Sequence, residues 1–362
     1  MFSVDDHRYM ALALRLAERG LYTTDPNPRV GCVVVRDGRI VGQGWHRRAG
    51  EPHAEIHALR EAGEQAQGAT VYVTLEPCNH HGRTPPCADA LIEAGVARVV
   101  AAMEDPHARV AGQGMARLQA AGIDAATGLM QPQAEALNPG FVARHRRARP
   151  YVRCKLAMSL DGRTAMASGE SKWITSAAAR ADVQTLRARS SVIVTGIETV
   201  LADDPRMNAR VDFEARGPDR VVLDSTLRMP PSAAMSASPG STWVATLSRD
   251  ERKRDALQQA GLRVLDVAGG DGRIDLHALL NALADLEYNE VLVEAGPTLS
   301  GAFVLAGLID ELIVYLAPHL MGHAGRALLH LPGIDTMQQR IGLRMTELKQ
   351  VGEDLRLTYR PA

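Results

Sequence analysis

The sequence predicts an α/β protein built as two domains. Three observations carry that expectation. The chain has 362 residues, enough for about two domains of ~150 residues that each bury their own core. Short apolar runs alternate with amphipathic stretches of helical period along its length. One basic segment, Arg144-His145-Arg146-Arg147-Ala148-Arg149-Pro150, interrupts the alternation, and strand-like sequence restarts after it. We place the boundary there, with domains over 1–146 and 147–362. The segment reads as a solvated linker rather than a nucleic-acid patch, because it is short and has no interleaved aromatic residues.

The elements follow in order. Ser3 stands three residues before Asp6, a capping-box spacing; Met10, Ala13, Leu14 and Ala17 share one apolar face, and Gly20 ends the helix. Strands over 30–35 and 40–44 flank Asp37-Gly38, a hairpin turn. Helices over 53–60, 88–94 and 114–120 alternate with strands over 71–74 and 99–103. The second half has strands over 152–156, 192–195, 221–224, 243–245, 291–294 and 312–316. Its helices run over 176–189 and about 299–306. Gly269-Gly270-Asp271-Gly272 reads as a loop and not as a phosphate cradle. No internal repeat is visible.

Composition excludes several classes. With 46% hydrophobic and 23% charged residues, the chain is neither disordered nor fibrous. A net charge of -1 creates no field for nucleic acid or anionic membrane, and 4% aromatics cannot build a base-stacking platform. Asp5 and Asp6 stand where a secretory signal needs bases. The longest apolar run, 301–309, is far short of the ~20 residues of a membrane helix. A cytoplasmic protein with reduced thiols is expected, with Cys32 and Cys154 as buried thiols in apolar strands.

The strongest chemical signal is His53-Ala54-Glu55 followed by Pro77-Cys78 and Cys87. Zinc deaminases need three N and S ligands, an open coordination position, and a carboxylate that shuttles protons without binding the metal. Here His53, Cys78 and Cys87 would hold Zn²⁺, and Glu55 would be the catalytic proton carrier. His53 and Glu55 open one helix, and Cys78 stands where a second would begin, so both helix dipoles would favour thiolate. Eight residues separate the two cysteines where the usual signature has two. The inserted loop holds His80 and His81, which read as loop or substrate-contact residues rather than ligands. The bland reading, a surface histidine and ordinary core thiols, leaves the joint pattern unexplained. Asn27, in Asp25-Pro26-Asn27-Pro28, could hydrogen-bond the edge of a base, or the stretch could be only a proline-rich turn.

At Thr74-Leu75-Glu76-Pro77-Cys78-Asn79-His80-His81-Gly82-Arg83-Thr84-Pro85-Pro86-Cys87 the chain resembles the bifunctional riboflavin-biosynthesis deaminase/reductases, whose long loop between the cysteines accounts for that departure. Lys155-Leu156-Ala157-Met158-Ser159-Leu160-Asp161-Gly162 resembles the start of the family's reductase domain. Ser168-Gly169-Glu170-Ser171-Lys172-Trp173, Leu201-Ala202-Asp203-Asp204-Pro205-Arg206 and Glu294-Ala295-Gly296-Pro297-Thr298-Leu299 extend the resemblance over nearly the whole chain. It implies a cytidine-deaminase-like α/β/α domain followed by a dihydrofolate-reductase-like α/β domain. The first would deaminate 2,5-diamino-6-(5-phosphoribosylamino)pyrimidin-4-one; the second would use NADPH to reduce the ribosyl group, giving 5-amino-6-(5-phosphoribitylamino)uracil. A homo-oligomer, dimer or tetramer, is also implied.

The resemblance further assigns Ala157, Trp173, Thr199, Asp203 and Ser225 to the cofactor. It adds the turn of Gly296, Pro297, Thr298, Leu299, Ser300, Gly301 and Ala302, which would present amides and a helix N-terminus to a cofactor phosphate. Ser171, Met207 and Glu294 would complete the substrate pocket. Arg187 and Arg210 would take the substrate phosphate, since arginine grips phosphate with a two-pronged fork. Because 37 of the 41 basic residues are arginine, no single arginine marks a site by its presence. Lys155 and Glu294 either pair as buried ions or orient the substrate and assist proton transfer. Two rival functions stand beside this reading. One is a zinc deaminase acting on bases in nucleic acid, which leaves over 200 C-terminal residues idle. The other is a purely structural zinc, which needs His80 or His81 as fourth ligand.

Overall fold

A computed structural model describes residues 1–79, 86–108 and 110–362. It divides into two units, Met1–Ala148 and Arg149–Ala362.

The first unit opens with α1 (Val4–Glu18). The Ser3 hydroxyl accepts from the Asp6 amide while the Asp6 carboxylate accepts from the Ser3 amide, so the capping box is present. Strands β1 (Gly31–Arg36) and β2 (Arg39–Trp45) are joined through Asp37 and Gly38, with φ of 51° and 72°. Two positive φ values are what a two-residue hairpin of this hand requires, and Asp-Gly supplies them. Then come α2 (Ala54–Ala62), β3 (Thr70–Val73), α3 (Cys87–Glu93), β4 (Arg98–Ala101), α4 (Gln113–Ala120), β5 (Asp124–Thr127), α5 (Gln131–Leu137) and α6 (Pro139–Arg147). The sheet order is β2-β1-β3-β4-β5. β1 is antiparallel to β2 and β3, and the remaining pairs are parallel. Helix α2 lies hard against β2 because Gly44 has no side chain: a Cβ there would stand 2.5 Å from the Ala54 carbonyl oxygen. That close approach fixes the start of α2, where His53 and Glu55 sit.

Two expectations need correction here. The basic stretch is not a linker through its whole length, because Arg144 to Arg147 form the last turn of α6. Arginine is a good helix former, and cations suit a helix C-terminus. The strand β5, Asp-Ala-Ala-Thr, was not foreseen because it lacks the bulky apolar residues that mark strands.

The second unit contains β6 (Tyr151–Ser159), β7 (Arg163–Ala165), α7 (Ala177–Arg189), β8 (Val192–Gly196), α8 (Ile197–Asp203), β9 (Asp219–Leu223), β10 (Thr242–Thr246), α9 (Glu251–Gln259) and β11 (Arg263–Asp266). It continues through β12 (Gly269–Gly270), β13 (Arg273–Ile274), α10 (Leu276–Asp285), β14 (Glu290–Val293), α11 (Pro297–Leu305), β15 (Glu311–Ala317), β16 (Arg326–Ala327), β17 (Leu343–Val351) and β18 (Asp354–Pro361). A nine-stranded sheet runs β11-β10-β9-β8-β14-β6-β15-β18-β17. It is parallel from β11 to β15 and closes with an antiparallel hairpin. Separate buried clusters, one around Leu279 and Phe303 and one around Val183 and Met235, cover its strands. Gly269 to Gly272, expected as a loop, instead form the small hairpin β12–β13 and its turn. Among the described residues no helix is long and apolar enough to cross a membrane.

Candidate active sites

In the first unit, His53 is the N-cap of α2 and Glu55 lies in its first turn. Cys87 begins α3, and Cys78 lies in the turn after β3. The structure thus corrects the expected placement: the second helix N-terminus carries Cys87, not Cys78. The His53 Nδ1 is 3.2 Å from the Cys87 Sγ and 3.6 Å from the Cys78 Sγ, and all three ligand atoms lie within 4.8 Å of one another. Zinc bonds of ~2.0–2.3 Å in a tetrahedron separate N and S ligands by about 3.6 Å. The donor set therefore fits a zinc ion. Among the described residues the cluster has three members; His80 and His81 lie outside the described residues.

The electrostatics agree with that use. The Cys78 thiol is held down to about 4, chiefly by the Cys87 thiol that hydrogen-bonds it, with help from the His53 ring and the Cys87 amide at 3.3 Å. Cys87, buried and sharing its proton with Cys78, is pushed up. Such a pair binds a thiophilic cation readily. Glu55 is 3% exposed, and burial pushes its carboxyl up to about 7. Its Oε2 is buried without a hydrogen-bond partner, an acceptor awaiting a proton. The Asn27 Nδ2 donates to His46 Nε2 at 3.1 Å, and the His46 ring packs edge-on against His53 with centroids 5.4 Å apart. The structure therefore brings Asn27 to the metal cluster through His46, a residue that sequence reasoning missed. Its position at the end of an amphipathic strand was the only available signal. Cys32 and Cys154 are buried thiols, as expected, and burial raises both.

In the second unit Thr199, Asp203, Ser225, Glu294 and Gly296 follow the carboxyl ends of the parallel strands β8, β9 and β14, where open α/β sheets bind ligands. Lys155 and Ala157 lie on β6, Arg187 on α7, and Thr199 and Asp203 on α8. Ser225 follows β9, Glu294 ends β14, and Gly296 caps α11. Arg187 grips Glu294 with two prongs, Nε to Oε1 at 2.7 Å and Nη2 to Oε2 at 2.9 Å. Its Nη1 donates to the Asn208 carbonyl at 3.2 Å, and its Nη2 is 3.7 Å from the Met207 sulfur. Arg210 bonds the Asn208 side chain at 3.0 Å. Burial alone would raise Glu294, but Arg187 first, then Lys155 and Arg210, hold it below the usual carboxylate range. Glu294 pairs with Arg187, and among the described residues no ion pair joins it to Lys155. Burial holds the Lys155 ammonium below its ordinary value, while Glu294 opposes that shift.

Around the cofactor residues, Lys172 pairs with Asp203 at 2.9 Å, and Arg180 stands 4.5 Å over the ring of the largely exposed Trp173. Ser171 is half-buried in the same loop. Helix α11 starts with Pro297 and has no side-chain cap, leaving first-turn amides unclaimed. A Cβ at Gly296 would meet nothing within 4 Å, so open space lies where a phosphate would approach. This arrangement fits a dinucleotide phosphate. Gly301 differs: a Cβ there would be 2.1 Å from the His330 carbonyl oxygen, so its smallness serves packing. Ser300 is likewise buried, with its hydroxyl on the Ala295 carbonyl at 3.3 Å.

Fold and sites together define a metal-dependent deaminase unit joined to an α/β nucleotide-cofactor reductase unit. Residues 3–103 match the family described as cytidine and deoxycytidylate deaminase zinc-binding region, and residues 150–357 match the RibD C-terminal domain. The chain is 53% identical to the riboflavin biosynthesis protein RibD of Escherichia coli (strain K12), covering 97% of this chain and 98% of that one. It is 39% identical to RibD of Aquifex aeolicus (strain VF5), over 98% of each. Among solved structures, RibD of Acinetobacter baumannii, form 1, superposes with a TM-score of 0.93 at 46% identity, and the Thermotoga maritima deaminase/reductase with 0.86 at 30%; both alignments cover 99% of each chain. The chain belongs to the RibD family of riboflavin biosynthesis proteins. It is a bifunctional enzyme of small-molecule metabolism, a zinc-dependent deaminase and an NADPH-dependent reductase.

Proposed function

We propose that the N-terminal unit hydrolytically deaminates 2,5-diamino-6-(5-phosphoribosylamino)pyrimidin-4-one, and that the C-terminal unit reduces the ribosyl group of the product to the ribityl chain. The observation that carries the first step is the His53, Cys78 and Cys87 cluster beside the free, buried Glu55 Oε2. When bound there, zinc supplies Lewis-acid activation of water. Glu55 takes one proton from the attacking water and gives it to the ring nitrogen, then carries the second from the resulting hydroxyl to the departing amino group; a carboxyl near 7 suits both directions. Asn27, oriented by His46, hydrogen-bonds the edge of the pyrimidine.

In the second step NADPH supplies the hydride. Lys155 and Glu294 line the pocket where the sugar ring opens, with Glu294 held as carboxylate by Arg187. Arg210, whose guanidinium donates to the Asn208 side chain and which is exposed, is the better placed of the two arginines for the substrate phosphate. Ser171 and Met207 close the pocket. Ala157, Trp173, Thr199, Asp203, Ser225 and the turn from Gly296 to Leu299 hold the cofactor, with the α11 amides on a phosphate, while Ser300 and Gly301 pack the helix beneath it. The same reading expects a cytoplasmic homo-oligomer acting on a free phosphorylated pyrimidine; the near-neutral net charge speaks against nucleic acid.

Product mass after incubation with the diaminopyrimidinone substrate and NADPH tests this. Exchange of ammonia for water plus gain of two hydrogens is expected. Unchanged substrate, with zinc confirmed present, would overturn the substrate assignment.

A further inference from the structure

We infer that Glu76 is a positioning residue of the deamination centre: its buried carboxylate ties the Cys78 turn to the N-terminus of α4. The inference rests on the zinc reading above.

Glu76 is 4% exposed, in the turn that follows β3. A buried carboxylate needs partners, and here they are backbone amides. Its Oε1 accepts from Gly114 at 2.8 Å and from Met115 at 3.4 Å. Its Oε2 accepts from Gly112 at 2.9 Å and from Asp105 at 3.0 Å. Helix α4 has no cap from its own N-cap residue, which is Gly112 in the left-handed region at φ 78°. Glu76 therefore caps α4 from 38 residues upstream in sequence, where the first-turn amides and the helix dipole both favour an anion.

The same turn is gripped twice more. The Glu76 amide donates to the Met103 carbonyl at 2.9 Å. The Pro77 carbonyl oxygen presses on Gly114, where a Cβ would stand 1.9 Å away. Cys78 is the next residue. It belongs to no helix or strand, so its backbone is held by this clamp and by the contact of its carbonyl with the Ala88 amide at 3.2 Å, while its thiol accepts from the Cys87 amide at 3.3 Å. His53 and Cys87, by contrast, are placed by the starts of α2 and α3. Cys78 is the one ligand whose backbone needs an outside anchor, and Glu76 provides it. Partners that orient metal ligands typically govern metal affinity by 10–100-fold.

The test is Glu76→Gln in the full chain, since an amide nitrogen cannot accept the two bonds of the oxygen it replaces. Zinc release to an excess of chelator should run roughly 10–100-fold faster than in the parent. Deamination kcat should fall with KM kept, and reduction of pre-deaminated substrate should stay at the parent rate. The zinc-free variant should still fold and melt cooperatively, its melting lowered only modestly by the lost cap bonds. Release within twofold of the parent overturns the inference alone. So does collapse of the zinc-free N-terminal unit, which would mean that Glu76 serves the fold and not the metal. A parent that holds no zinc overturns the metal reading and this inference with it.

Discussion

The deamination centre and the reductase cleft are assembled in opposite ways. The first takes its proposed metal ligands and proton carrier from one short stretch, His53 to Cys87, placed by two helix starts and one anchored turn. The second draws Lys155, Arg187, Met207, Arg210 and Glu294 from a strand, a helix, a loop and another strand end. In the first, the reactive groups are left for a ligand: the Glu55 Oε2 has no partner. In the second, the Glu294 carboxylate is already doubly bound by Arg187. A compact site can be edited one residue at a time; a distributed one couples its chemistry to the fold of its unit.

Glu55→Gln gives the largest expected effect and the cleanest separation. Loss of the proton carrier should cut deamination by roughly 10²–10⁴-fold. Zinc should stay bound, and reduction of pre-deaminated substrate should persist, both read by metal content and coupled assays. Equal loss of both activities would break the comparison, because the two sites would then be one.

Arg187→Ala probes the other side. It leaves Glu294, 8% exposed, as a buried charge without its main partner, at a cost of about 3–5 kcal/mol to the C-terminal unit. Reductase activity should fall with stability in a denaturant titration, while deamination holds. Arg187→Lys keeps the charge but loses the fork and should restore only part of each. Normal stability with lost reduction would place Arg187 in ligand binding alone and sharpen the contrast the other way.

The same difference explains what was legible beforehand. The capping box at Ser3 and the Asp37-Gly38 hairpin rest on local rules, and each is where the spacing puts it; the His53, Cys78 and Cys87 spacing does bring three ligand atoms together, although the second helix starts at Cys87 and not at Cys78. The cleft was legible only through resemblance to a known family, because no spacing rule links Arg187 to Glu294 across 107 residues. Glu76 went unread for the same reason: its amide partners lie 29 to 39 residues ahead. The C-terminal hairpin of β17 and β18 was missed because β17 is exposed along its length and shows no buried apolar face.

The units should also part on acidification. Burial first, then Arg144 and His107, hold the His145 imidazole down to about 4 from its ordinary 6.5. Between those values the unfolded chain binds the proton and the folded one does not. The His145 contribution to the stability of the N-terminal unit should therefore fall as pH drops from about 6.5 to about 4, while Glu55, pushed up to about 7, contributes with the opposite sign. The C-terminal unit relies on Glu294 and Glu311, both held below the usual carboxylate range, and loses their contribution only at lower pH. In the zinc-loaded protein His145→Gln should flatten the first slope and leave the second unchanged. Parallel slopes in parent and variant would remove His145 from the account.

The smallest effect separates ligand space from packing inside the cleft itself. Gly296 and Gly301 stand one and a half turns apart at the start of α11, in one stretch of sequence that reads alike. A methyl at Gly296, whose φ of -68° suits any residue, meets no protein atom. Gly296→Ala should leave stability within about 1 kcal/mol of the parent. It should raise KM for NADPH several-fold with kcat nearly kept, because the methyl occupies the approach to the α11 amides. Gly301→Ala drives a methyl toward the His330 carbonyl oxygen, so it should lower the melting temperature before it changes cofactor affinity. Equal KM in parent and Gly296→Ala would mean that no phosphate seats on that turn. The α11 amides would then face only water, and the cofactor would have to be held from the Trp173, Asp203 and Ser225 side of the cleft.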